Sequence, residues 1–126
     1  MDIMEPQMIN QSRHIPDWQQ ILSNLDGDNK LLCDIIRVFQ RDSIEDLNLI
    51  ETAIKQTDVV VLNRSAHKFK GALVTLNMED AAHLALALEQ LGESGNIEGA
   101  EDIFKDLCSE VEYYVSLQKA YLEAAA

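Results

Sequence analysis

One histidine, His67, sits among three of the chain's ten Lys and Arg side chains, Arg64, Lys68 and Lys70, in a stretch with no acidic residue from Val59 to Met78. The whole chain carries 22 Asp and Glu and a formal charge of −12, so this local positive charge runs against its composition. An imidazole titrates near neutrality, and its uncharged form is a nucleophile. The neighbouring cations suit an incoming phosphoryl group. They offset its charge, and Lys70, three residues on, is within a helical turn's reach of its oxygens. Attack on phosphorus is therefore the chemistry this cluster could do.

The element that must position these groups is a helix. With residues 58 to 78 helical, Leu62, Ala66, Phe69, Leu73 and Leu76 recur at spacings of four, three, four and three, a core-facing stripe. At about 100° per residue His67 lies well round from that stripe and points to solvent. Asn63, Lys70, Gly71 and Val74 share the exposed side, and Val60 lies two turns before the histidine. Glycine inside a helix costs about 1 kcal/mol against alanine, so Gly71 marks a place where another backbone or a ligand comes close. Val60 and Val74 are apolar side chains on a face expected to be wet, the mark of a docking surface.

The hexapeptide Ala66-His67-Lys68-Phe69-Lys70-Gly71 resembles the A-H-x-x-K-G signature of histidine-containing phosphotransfer (HPt) domains, helical modules that relay phosphoryl groups in multistep two-component signalling. Phe39 near the middle of a long preceding helix, Asp58 opening the histidine helix, Leu88-Glu89 in the next helix and Gly95-Asn96 before a final one extend the resemblance over residues 17–122. The resemblance implies that His67 is the phosphoacceptor, with Nε2 attacking, and that Lys70 steadies the phosphoryl oxygens. Gly71 leaves room for the partner's loops, and Arg64, Lys68, Asn63, Val60 and Val74 meet that partner. The partners implied are receiver domains of response regulators or hybrid sensor kinases. The resemblance implies no cofactor of the chain's own, with Mg²⁺ arriving bound to the receiver. The chain departs from the family at two positions: Val74 stands where a small residue is usual, and Asn77 stands where a turn glycine is usual. Asparagine tolerates turn geometry nearly as well.

At 126 residues and 47% hydrophobic, the chain is one domain's worth with enough apolar material for a core. Its acidity argues against nucleic acid or an anionic membrane as partner. No apolar run approaches the roughly 18 residues of a membrane span, and no signal peptide is visible, so no membrane insertion and a cytoplasmic location are expected. Cys33 and Cys108 lie in helical patterns without metal-type spacing and read as buried thiols. No P-loop and no G-x-G-x-x-G is present, so the chain is not an enzyme with autonomous kinase activity. The carboxylates of Glu45-Asp46 and Glu79-Asp80 read as solvated helix faces and caps. His83 could in principle pair with His67 at a metal, but no Cys or clear carboxylate geometry supports this.

The remaining periodicity is helical throughout. Residues 1–16 show no sustained period and read as a tail or linker, with His14 incidental. Asp17 caps a short helix with Trp18, Ile21, Leu22 and Leu25 that ends at Asp26-Gly27, and Trp18 packs on the bundle end. Asp28 caps a second helix with the stripe Leu32, Ile36, Phe39, Leu47, Ile50 and Ile54, interrupted by Ser43, and it spans about 40 Å at about 1.5 Å per residue. Asn77 is a candidate cap for a fourth helix carrying Ala81, Leu84, Leu88 and Leu91, with Leu86 off the stripe. Asn96 is a candidate cap for a last helix with Ile97, Ala100, Phe104, Leu107, Val111, Tyr114 and Tyr121. Short connections make neighbours antiparallel, so the expected fold is all-α, an up-down antiparallel four-helix bundle with a short extra N-terminal helix over residues 17–123. Residues 124–126 form a C-terminal tail, either helix end or an appended remnant. A monomer is expected because such a bundle closes its own core. The competing reading of function is a non-phosphorylated helical adaptor, which explains the acidic surface and long helix but not the cations beside His67.

Overall fold

The computed structural model describes residues 14–125. Residues 1–13 of the expected tail, and Ala126 of the closing alanines, lie outside them. Among the described residues there are five helices and no strand: α1 (Trp18–Asn24), α2 (Asn29–Lys55), α3 (Val59–Thr75), α4 (Glu79–Ser94) and α5 (Ala100–Ala125). Each of α2 to α4 packs on its successor, and α5 returns to α2, which closes an up-down bundle with α1 set against α2.

Three aspartates start three helices. Asp17, Asp28 and Asp58 each turn a side-chain oxygen onto the backbone N–H three residues on, at Gln20 (3.0 Å), Leu31 (3.0 Å) and Val61 (3.1 Å). Each satisfies one of the donors that a helix N-terminus leaves free, worth about 1 kcal/mol. The stripe of α3 is buried as its spacing predicts, with Leu62, Ala66, Phe69 and Leu73 all at zero exposure. Phe69 stacks on Phe39 of α2, ring centroids 6.0 Å apart. Ser43 is buried, and its hydroxyl donates to the Gln40 carbonyl at 3.2 Å, so the hydroxyl on the core line is satisfied within its own helix.

Two expected caps are corrected. Asn77 does not cap α4: the N-cap is Met78, which makes no side-chain capping bond. Asn77 instead takes the left-handed conformation, φ 58°, at the end of α3, while the Met78 N–H bonds back to the Leu73 carbonyl at 2.9 Å. That is how a helix closes its last turn, and asparagine serves there in place of glycine. Its side chain is then free to accept from the Asp17 N–H at 2.7 Å, which ties α1 to the α3–α4 turn. Asn96 caps no helix either. Its Oδ1 accepts from the Glu98 N–H at 3.1 Å in a local turn, and α5 begins only at Ala100, after Gly99 at φ 87°. Ile97 accordingly packs on the core from the loop.

His14 also differs from its sequence reading. Its Nδ1 lies 2.8 Å from the Tyr114 hydroxyl and its Nε2 lies 3.5 Å from Glu79. The same hydroxyl accepts from the Asp80 N–H at 3.2 Å, so this histidine joins the start of α4 to α5. Trp18 packs on the bundle end as expected, stacked on Tyr121 with centroids 4.6 Å apart. Cys33 is buried, whereas Cys108 is only half-buried; both are free thiols.

Candidate functional site

α3 turns its uncovered face outward and presents Val60, Arg64, His67, Lys68, Gly71 and Val74 as exposed residues, with Asn63 and Lys70 half-buried at its edge. The His67 side chain is 68% exposed. Val60 and Val74, seven residues to either side, are 55% and 61% exposed, and on a helix that spacing stacks all three in one line. The sequence-derived set is therefore on one face, and it is apolar at both ends with the imidazole at its centre.

The ring is not free at both nitrogens. Glu89, from α4, places Oε2 at 3.1 Å from His67 Nδ1 and Oε1 at 2.9 Å from Lys70 Nζ. Its side chain is only 20% exposed, so the carboxylate sits in the α3–α4 seam under the two basic groups. The Lys70 ammonium first, and then the hydrogen bond with His67, hold the Glu89 carboxyl below the usual glutamate range, against the opposing effect of burial. An ionised carboxylate can only accept, so Nδ1 carries the ring proton and donates it to Glu89. In the neutral ring the remaining nitrogen, Nε2, then keeps its lone pair.

The cations that cluster in sequence divide in space. Lys70 is 25% exposed and is held by Glu89, so in this state its charge is spent inside the seam. Lys68 reaches the other way, to Asp46 of α2 at 3.8 Å. Burial pushes the Asp46 carboxyl up from its ordinary value, and the Lys68 ammonium partly opposes that. The sequence reading of Glu45-Asp46 as a wholly solvated pair thus holds for exposed Glu45 but not for Asp46. Two grooves flank the α3 face. One of about 410 Å³ lies between α2 and α3 and is bordered by Ile35, Val38, Asp46 and Lys68. The other, of about 260 Å³, runs from Lys70 and Val74 toward Met78, Ala82 and Leu86. Leu86, apolar and off the α4 stripe, is explained by the second groove.

The two glycines of this region play opposite parts. A Cβ added at Gly71 would meet no heavy atom within 4 Å beyond its chain neighbours and the local backbone of its own helix. Nothing inside the molecule therefore requires glycine there. Gly92, in α4, is the close-approach glycine, with the backbone of Asn63 and Val59 against it. Sequence reasoning passed over Gly92, and it gave Glu89 no chemical role. A glycine inside the α4 pattern, three residues after a lone interior glutamate, was the available signal. His83 is exposed on α4, and among the described residues no group of three or more His, Cys, Asp and Glu side chains is arranged to hold a metal ion. Among them, too, no helix is long and apolar enough to cross a membrane.

A family model described as the Hpt domain matches residues 34–124, from the first third of α2 to the end of α5. Among solved structures, the chain is similar to the crystal structure of histidine-containing phosphotransfer protein B (HptB) from Pseudomonas aeruginosa PAO1. The TM-score is 0.81 over 90% of this chain and 97% of that one, at 22% sequence identity, a likeness of fold. No curated protein matches the chain.

Proposed function

The chain belongs to the Hpt-domain family, and from that premise we propose that it is a phosphorelay intermediate in which His67 takes a phosphoryl group from a receiver-domain aspartate and passes it to another. The observation that carries this reading is the exposed imidazole whose Nδ1 is committed to Glu89, which leaves Nε2 as the ring nitrogen for the phosphoryl group. In the forward step the Nε2 lone pair attacks phosphorus in line, the bond from phosphorus to the receiver's carboxylate oxygen breaks, and that carboxylate leaves with the electron pair. The ring now bears positive charge, because Nδ1 keeps its proton, and the Glu89 carboxylate 3.1 Å away balances it. Return of the phosphoryl group to a second aspartate is the same step reversed.

Lys70 steadies the phosphoryl oxygens. Its Nζ starts on Glu89 and swings outward when the dianion arrives, so Glu89 both parks the lysine and orients the ring. Arg64 and Lys68, at the rim, meet the acidic pocket of the receiver. Val60 and Val74 supply apolar contact at the two ends of the acceptor line, and open space at Gly71 takes the receiver's loops. The Mg²⁺ that transfer needs travels with the receiver's carboxylates, and this chain acts as a carrier without kinase activity of its own. Val74, larger than the family's usual residue, tunes which receivers fit.

The test is incubation with a phosphorylated receiver and Mg²⁺, followed by intact-mass analysis of wild type and His67→Gln. Wild type gains one acid-labile phosphoryl group and His67→Gln gains none. Binding of a receiver without any transfer to wild type would instead assign the chain to the adaptor class.

A further inference from the structure

The seam between α3 and α4 is closed by two residues whose roles go beyond packing. Gly92 is buried, and a Cβ there would lie 2.7 Å from the Asn63 backbone nitrogen, 2.9 Å from the Val59 carbonyl oxygen and 3.0 Å from the Asn63 Cα. These are backbone atoms of another helix, which cannot rotate aside as a side chain would. Glycine therefore sets how near the two backbones run. One turn along α4 from Gly92, the Asn63 side-chain amide donates to the backbone carbonyl of Glu89 at 2.9 Å. Asn63 lies four residues before His67 and seven before Lys70, so all three share the α3 face that Glu89 meets. The glutamate that holds the acceptor ring is thus itself held, by a hydrogen bond at its own backbone and by a close approach three residues further on.

We propose that Asn63 and Gly92 are positioning residues that fix Glu89 against His67 and thereby keep the acceptor ring in the tautomer with the proton on Nδ1. The inference rests on the reading of His67 as phosphoacceptor for its functional meaning, but the ring's tautomer is a property of the resting chain. A carboxylate at 3.1 Å selects that tautomer only while the distance lasts. Displacing α4 by even 1 Å takes the contact beyond hydrogen-bond length and leaves the ring to solvent, where both nitrogens compete for one proton. Glu89 has a flexible side chain, so backbone placement is what makes the contact persistent.

The experiment is ¹⁵N NMR of the histidine rings in the full chain, above the pH at which the rings are protonated. Wild type, Gly92→Ala and Asn63→Ala are compared, with His67→Gln identifying the His67 signals. In wild type, Nδ1 shows the shift of a protonated ring nitrogen and Nε2 that of an unprotonated one. In both variants the two shifts converge toward those of a free, exchanging imidazole. Phosphoryl acceptance at saturating receiver slows by about ten- to a hundredfold in both variants, and in Gly92→Ala, whose site is buried away from the receiver-facing residues, the receiver concentration for half-maximal rate stays nearly unchanged. Folded variants with wild-type His67 shifts would overturn the proposal. If added volume at Gly92 unfolds the chain, Asn63→Ala, which removes atoms only, decides the matter alone. Because the tautomer is read without any phosphoryl donor, failure of His67 to accept phosphate would remove the phosphotransfer reading and leave this result standing.

Discussion

Replacing Gly71 by alanine should make the protein more stable and a worse phosphotransfer partner. Gly71 lies in the interior of α3 and is exposed, and a Cβ there meets nothing within 4 Å beyond its chain neighbours and the local backbone of its own helix. The substitution therefore adds no internal clash and removes the conformational freedom that glycine loses on folding, a gain of about 1 kcal/mol. For a chain of this size that raises the melting midpoint by about 3–5 °C. In the complex the same methyl group stands four residues from His67 on the docking face. Overpacking a close contact costs about 1–3 kcal/mol, and the lower figure already means about a fivefold slower transfer if the cost falls on the transition state. Thermal unfolding by circular dichroism and rapid-quench transfer from a phosphorylated receiver read the two effects separately. Lower stability would mean that α3 itself needs glycine at this position. Higher stability with an unchanged transfer rate would mean that no partner atom approaches it, and the reasoning from open space to partner access would fail.

Two further perturbations test the electrostatics. Glu89 has a carboxyl held below its ordinary value, so its contribution to stability is fully present above the usual glutamate pKa of about 4.3 and is lost as pH falls through the lower folded value; Glu89→Gln should flatten acid denaturation in that window, read by chemical denaturation at successive pH values. Tyr114 is fully buried and its hydroxyl is pushed up to about 12, chiefly by burial. The folded state thus disfavours the phenolate, and stability should fall as pH rises above about 10; in Tyr114→Phe this part of the loss should disappear, as followed by alkaline unfolding curves.

The parts of the fold that depend on short-range rules were legible in the sequence. Asp17, Asp28 and Asp58 cap because the side-chain oxygen and the N–H it accepts from are three residues apart, and the α3 stripe is buried because its spacing fits one face. Asn77 and Asn96 were misplaced as caps because asparagine serves equally as a helix cap, a left-handed turn residue and a local turn acceptor. Which role it takes depends on neighbours such as Gly99, whose positive φ delays α5. The site was legible as a face and not as a circuit. Periodicity put His67, Val60, Val74 and Gly71 outward, but the Glu89 bridge joins residues 22 apart, through a helix register that periodicity does not supply. The cations show the same limit. They gather in sequence, yet Lys70 and Lys68 turn to carboxylates on opposite neighbouring helices. His14 was read as incidental because its partners, Glu79 and Tyr114, are remote in the chain.

The central claim is that Nε2 of His67 carries the phosphoryl group while Nδ1 keeps its proton on Glu89. The direct measurement is ¹⁵N and ³¹P NMR of the histidine-labelled chain after transfer from a phosphorylated receiver in the presence of Mg²⁺. The account predicts a single new phosphorus signal coupled to Nε2 of His67, with Nδ1 still protonated. Phosphorus on Nδ1, on His14 or His83, or on no histidine at all would contradict it.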